Sequence, residues 1–400
     1  MEKRLFELLG APNVDLQEVN SLIDEGVDVN CVNEKGLTPF LHLVREGHTK
    51  RNLMETVQLL IDNNVDVNSK DSDGWVSSLH FLCQSYGNEN LIDIIQLLIR
   101  NGIVVDSKDN EMQNPLHLLC KFYKKDNLTD IARVLIDNGI DVNSKKGGEW
   151  NAGWNALHIS CKNFQKENLI DVVQLLIEKG IDLNSKTKDY EANALHVLCR
   201  YYRHNNWIDI IRLLIQNGID VHARNNQGFN ALHSLCKSKN KEVNLIDEIQ
   251  FFFELGFDVN STTESGWNAL HILCQNYKNE NLIDIVRILI QNGIDVNWKN
   301  KAGWNALLFL CKNYVNDNLI EIVRLLIEHG ININHTVYEG NAVHLLCKYY
   351  PNENLVDILQ LLITNGITVR RNVVHPRILI RKNPNQANNE SVIQFLDQLF

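Results

Sequence analysis

Histidine and cysteine stand three residues apart seven times in this chain, at His80/Cys83, His117/Cys120, His158/Cys161, His196/Cys199, His233/Cys236, His271/Cys274 and His344/Cys347. On a helix that spacing would let two zinc ligands share a face. Cysteine beside histidine is also a pairing that activates a thiol nucleophile. The surrounding sequence carries neither chemistry further. Zinc takes about four ligands, and each stretch supplies one pair. A residue with a catalytic role should break a period, whereas these keep one. No Gly-rich phosphate loop, nucleophile elbow or triad spacing occurs. The expectation is a protein without catalytic residues, cofactor, metal or small-molecule substrate.

The elements that position these residues follow from the period itself. Cys83, Cys120, Cys161, Cys199, Cys236, Cys274, Cys311 and Cys347 succeed one another at intervals of 36 to 41 residues. Such a period, held nearly end to end, predicts a solenoid of stacked units. Residues 266–303 serve as the type unit. Leu270, Leu273 and Tyr277 lie at i, i+3 and i+7 on a first helix. Asn281, with Asp284 three residues on, reads as the N-cap and acidic N3 residue of a second helix. Its Leu282, Ile283, Ile285, Val286, Ile288, Leu289 and Ile290 form an apolar coat wide enough to face a partner helix and both neighbouring units. Gly293 supplies the left-handed position that ends it, and Asn64 takes that place in an early unit. An extended piece, Ile294 to Asn297, and a polar turn close the unit. The predicted class is all-α.

Composition narrows the function. A formal net charge of −10 argues against nucleic acid as the main partner. No apolar run approaches the roughly 18 residues of a membrane helix, and the N-terminal MEKRLFELLG lacks a signal-peptide core. Eight of nine cysteines sit in repeat register, which suits buried, reduced thiols better than disulfides. The expected compartment is cytoplasmic or nuclear.

These units resemble ankyrin repeats. The resemblance is plainest at Gly36-Leu37-Thr38-Pro39, at Asn114-Pro115-Leu116-His117 and in endings such as Gly26-Val27-Asp28-Val29-Asn30. It covers roughly residues 1–370, and it implies an ankyrin-repeat solenoid of helix-turn-helix units joined by hairpin-like turns. Residues 1–35 read as an irregular N-terminal capping repeat, 36–369 as nine repeats, and 370–400 as a tail or cap with a helix over 391–400. The unit runs about 37 residues against the family's roughly 33. Either the first helix is about one turn longer, or the turn between the helices is. The resemblance also implies that the repeated histidine hydrogen-bonds the hairpin backbone, and that the cysteine fills a buried alanine position.

Two further columns bear on function. The residue three after each cysteine is aromatic at Tyr86, Tyr123, Phe164, Tyr202, Tyr277, Tyr314 and Tyr350, with Lys239 the exception. A stacking platform for bases is one reading; core packing on a longer first helix is the simpler one. Trp75, Trp154, Trp267, Trp304 and Phe229 follow the opening glycine region and are expected to stack between neighbouring hairpins. The residue directly after each cysteine is basic in six of eight units: Lys121, Lys162, Arg200, Lys237, Lys312 and Lys348. The next position holds Phe122, Tyr201 and Tyr349 among polar residues, and the resemblance places both columns on the family's concave groove. Lysine is also simply a good solvated helix residue. Trp150, Trp298 and Tyr338 mark the hairpin tips as candidate anchors.

The leading expectation is a non-catalytic scaffold that binds a protein partner, acidic or phosphorylated, along these columns. One alternative is a substrate adaptor whose tail recruits a second complex, such as a ubiquitin ligase, through Arg370, Arg371, Arg377, Arg381 and Lys382 or through Ile393, Phe395, Leu396, Leu399 and Phe400. A remoter one is nucleic-acid binding.

Overall fold

The computed structural model describes residues 1–46, 51–85, 90–149, 151–163, 168–201, 205–238, 245–368, 375–381, 383 and 389–398. Within them the chain is a succession of short helices. The first four are α1 (Glu2–Gly10), α2 (Leu16–Asp24), α3 (Pro39–Arg45) and α4 (Leu53–Asp62). Next come α5 (Ser78–Ser85), α6 (Leu91–Arg100), α7 (Pro115–Phe122), α8 (Leu128–Asp137), α9 (Ala156–Asn163) and α10 (Leu169–Glu178). They are followed by α11 (Ala194–Tyr201), α12 (Trp207–Gln216), α13 (Ala231–Cys236), α14 (Ile246–Glu254), α15 (Ala269–Asn276) and α16 (Leu282–Gln291). The series ends with α17 (Ala306–Asn313), α18 (Leu319–Glu328), α19 (Ala342–Tyr349), α20 (Leu355–Thr364), α21 (Pro376–Arg381) and α22 (Asn389–Asp397).

The chain divides into two compact units. In the first (Met1–Leu198 with His204–Asp220), the first helices α5, α7 and α9 pack side by side, and the second helices α6, α8, α10 and α12 form a parallel row. In the second (Cys199–Arg203 with Val221–Phe400), α13, α15, α17 and α19 make one row and α14, α16, α18 and α20 the other. There α21 packs on α19, and α22 packs on α20 and α21. Val392 and Leu396 of α22 are buried in that contact.

Each second helix ends as its sequence dictates. Gly293 has φ +83, the Gly293 N–H reaches the Ile290 carbonyl, and the Ile294 N–H reaches back to that of Leu289. Asn64 adopts φ +60 in the same role. Asparagine amides then tie neighbouring hairpins together. Asn297 Nδ2 donates to the Gly330 carbonyl (2.8 Å), while its Oδ1 accepts from the Asn332 N–H (2.7 Å). Asn68 does the same with Gly102 and Val104 (2.9 and 2.7 Å).

Of the two readings of the longer unit, the type unit takes the second: its first helix is not longer, and the surplus lies between the helices. Helix α15 stops at Asn276, and Tyr277 already has extended backbone (φ −83, ψ 131). The tyrosine ring is buried all the same. One expectation requires correction: the Asn281 side chain does not cap α16. Its backbone (φ −71, ψ 7) is nearly helical, so its amide is not aimed at the first-turn N–H groups as an extended N-cap residue would be. Instead Asn281 Oδ1 accepts from the Tyr277 hydroxyl (2.8 Å). The acidic residues such as Asp284 remain in the first turn, where they complement the helix dipole. Tyr86, Phe164, Tyr202 and Lys239 lie outside the described residues.

Candidate binding face

The side chains that build this face are set by the start of each first helix. Asn268 has extended backbone, and its Oδ1 accepts the His271 N–H (3.0 Å) while its own N–H donates to His271 Nδ1 (3.3 Å). This is a reciprocal capping box in which histidine takes the place usually held by glutamate. The other ring nitrogen, Nε2, donates to the Trp298 carbonyl of the next hairpin (3.1 Å). Equivalent bonds join His117 to Ser144 (3.0 Å) and His233 to Ser261 (2.9 Å). Accepting at Nδ1 and donating at Nε2 requires a neutral ring. Burial pushes His117, His158 and His271 down to about 4, outweighing the carbonyl bonds that favour the charged form. The N-x-x-H spacing could have revealed this cap, had histidine been weighed beside glutamate and glutamine.

The cysteines one turn further on are buried. Burial pushes the Cys120 thiol up to about 11 and those of Cys161 and Cys347 to about 12, the direction opposite to that of a nucleophile or metal ligand. Among the described residues, no group of three or more His, Cys, Asp or Glu is placed to hold a metal ion.

Directly after the cysteines, the basic column lies on aromatic rings, half-buried except for the exposed Lys348. In the first unit Lys162 Nζ sits 5.0 Å from the Trp154 ring, and Lys121 Nζ 4.7 Å from that of Phe122, itself exposed. Burial lowers the Lys121 pKa, with Lys146 and Lys162 adding to the shift and Glu111 and Asp109 opposing it; Glu111 pairs with Lys146 at 2.8 Å. In the second unit Arg200 lies 5.8 Å from Tyr201, Lys237 4.8 Å from Phe229, and Lys348 4.7 Å from Tyr349. Lys312 sits between two rings, 4.8 Å from Trp304 and 5.4 Å from Tyr349. These cation–π contacts hold the charges in fixed places at a partly desolvated surface.

Two of the tryptophans depart from the expected hairpin-to-hairpin stack. Trp267 and Trp304 instead both pack on Phe309 of α17, at ring distances of 4.5 and 5.1 Å. A cleft of about 460 Å³ opens on these three rings, edged by Gln275, Lys312 and Glu339. A second, of about 280 Å³, lies on Phe229 and Trp267 beside Lys237. Neither was foreseen, since Phe309 stands in a column that is apolar in every repeat but that of Ser234. Of the tip aromatics, Tyr338 is fully exposed. Trp298 is 41% exposed but pinned, its Nε1 donating to the Gly266 carbonyl (2.9 Å). Trp150 lies outside the described residues.

No curated protein matches the sequence. The family profile described as ankyrin repeats (3 copies) matches residues 9–109, 79–187, 171–246, 195–300, 242–337 and 277–373. Among solved structures, the chain is similar to the ankyrin repeat domain of Bcl-3, described as a unique member of the IkappaB protein family. That match has 23% identity and a TM-score of 0.43, over 62% of this chain and 97% of the other.

Proposed function

The chain belongs to the ankyrin-repeat family, and from that premise we propose that it is a non-catalytic scaffold binding acidic protein segments on the face that hairpins and first helices share within each compact unit. Ankyrin repeats generally mediate protein–protein interaction. The observation that carries the finer reading is the basic column. In a chain of net charge −10, Lys121, Lys162, Arg200, Lys237, Lys312 and Lys348 occupy one position, and contacts with neighbouring rings fix them there. Fixed cations on aromatic surfaces suit carboxylates carried among apolar side chains, since charge complementarity selects the partner and ring burial adds affinity. Phe122, Tyr201 and Tyr349 extend that surface, with Trp298 and Tyr338 at the hairpin edge. Among the described residues, no helix is long and apolar enough to cross a membrane.

The tail supports a cap more than a recruiting handle. Arg377 pairs with Asp397 at 3.0 Å, and Leu396 is buried. Arg370, Arg371, Lys382, Leu399 and Phe400 lie outside the described residues. The test is capture of partners from cell lysate by the native chain and by one carrying Lys121, Lys162, Arg200, Lys312 and Lys348 changed to Glu, with circular dichroism as the fold control. Loss of specific partners at an unchanged helical signal supports the reading. Retention of the same partners sinks it.

A further inference from the structure

In the second unit the basic column already holds an oxyanion, and the chain supplies it. Glu339 stands in the tight turn between Val337 and Gly340, whose backbones exchange N–H···O bonds of 3.0 Å. One carboxylate oxygen accepts from Lys312 Nζ (2.6 Å). The other accepts from the Tyr349 hydroxyl (2.8 Å) and lies 3.6 Å from Lys348 Nζ. Burial works against the charge, yet Lys312, Tyr349 and Lys348 together hold this carboxyl below its usual range. In the two preceding repeats the corresponding pair is glycine and tryptophan, Gly266-Trp267 and Gly303-Trp304; here it reads Glu339-Gly340. The ring that would continue the series is therefore missing, and a carboxylate lies at the edge of the cleft formed by Trp267, Phe309 and Trp304.

We propose that this clip is an occupied recognition site, with Glu339 standing in for a side-chain carboxylate of an acidic partner segment. The partner's carboxylate displaces Glu339 from Lys312, Lys348 and Tyr349, and an apolar side chain next to it enters the cleft. The inference rests on the acidic-partner reading above and adds to it a position and a built-in competitor. Three features favour a carboxylate on a peptide. The donors divide between the two oxygens of a planar group, as carboxylate recognition requires. The cleft beside them is built on the Trp267, Trp304 and Phe309 rings with a polar rim, and has room for one large side chain. The clip is also accessible, the side chains of Glu339, Lys312 and Lys348 being 24, 31 and 43% exposed. Pairs this exposed are weak and exchange readily. While Glu339 is in place the open site is only fractionally populated, and apparent affinity falls by that fraction.

Isothermal titration calorimetry of the intact chain with acetyl-EEFEE-amide tests this, with acetyl-QQFQQ-amide as the uncharged control and thermal melts to verify folding. E339Q should bind the acidic peptide about fivefold more tightly than the native chain, the factor expected for removing a weak exposed pair. The gain should vanish with the control peptide and in the triple variant E339Q/K312Q/K348Q. If E339Q binds the acidic peptide no better than the native chain does, the clip is only a hairpin latch; the inference falls and the acidic-partner reading stands. If no variant binds the acidic peptide, both fall.

Discussion

The hydroxyl of Tyr314 donates to Oδ1 of Asn318 at 2.9 Å and lies 2.9 Å from the carbonyl of Asn279 in the preceding repeat. Asn318 Nδ2 in turn donates to the Glu280 carbonyl (2.6 Å). Tyr350 and Asn354 repeat the pattern one unit later, with bonds to Asn316 and Asp317. In these repeats the extra residues are thus spent on a polar seam between successive inter-helix linkers.

Removing the hydroxyl should loosen that seam. Tyr314 is almost fully buried, so Tyr314→Phe keeps the ring packing while depriving Asn318 Oδ1 of its donor. The expected loss is about 1–2 kcal/mol, read as a lower urea midpoint with an unchanged m-value. A midpoint equal to that of the native chain would mean that the seam contributes nothing.

Acid should destabilise the stack through its histidines. His117, His158 and His271 titrate at about 4 when folded and near 6.5 when unfolded. Between those values the unfolded chain binds more protons. Stability is therefore fully present above pH 6.5 and is lost as pH falls toward 4, by up to about 1.4 kcal/mol per pH unit for each imidazole. Urea melts from pH 7.5 to 4.5 should show that slope, and His271→Gln should make it shallower. A flat profile would rule out neutral, buried rings.

Thiol labelling separates architecture from reactivity. Eight cysteines are buried and Cys31 is half-buried. A thiol reagent at pH 8 should modify Cys31 first and the rest only after denaturation, on the timescale of unfolding. Rapid native modification at Cys161 or Cys274 would contradict the burial that raises their pKa values.

Helix endings offer a backbone test. A Cβ added at Gly293 would meet no atom within 4 Å, so any cost of Gly293→Ala comes from its φ of +83 alone. About 1 kcal/mol is expected, and Gly293→Asn should cost less, as Asn64 already shows that asparagine holds this conformation. Equal costs for the two variants, measured by denaturant melts, would contradict this.

The repeat period, the glycine endings and the buried histidine and cysteine columns were legible because each rests on one residue type at a fixed interval. Asn281 was misread because N-x-x-D has the same spacing in a capping box and in a linker tie. What decides between them is the backbone angle of the asparagine, which depends on where Tyr277 leaves the helix. The His271 cap was hidden for the converse reason, since its side chain fills a role usually written with glutamate. The Glu339 clip was out of reach: it depends on glycine replacing tryptophan at one hairpin, and on two lysines 36 residues apart converging on a single carboxylate.

The amides of Asn68 and Asn297 have a consequence for how such a chain can change in length. Each reads the backbone of the next unit at two points, a glycine carbonyl and the N–H two residues beyond it. Cutting out or duplicating a segment between two such asparagines returns every donor and acceptor at the junction to an equivalent partner. A cut out of step leaves an amide facing the wrong atoms. Within each compact unit, gene duplication is therefore free to add or remove whole paragraphs of structure, while shifts of a few residues are confined to the linkers and hairpin tips, where the intervals between cysteines already vary from 36 to 41.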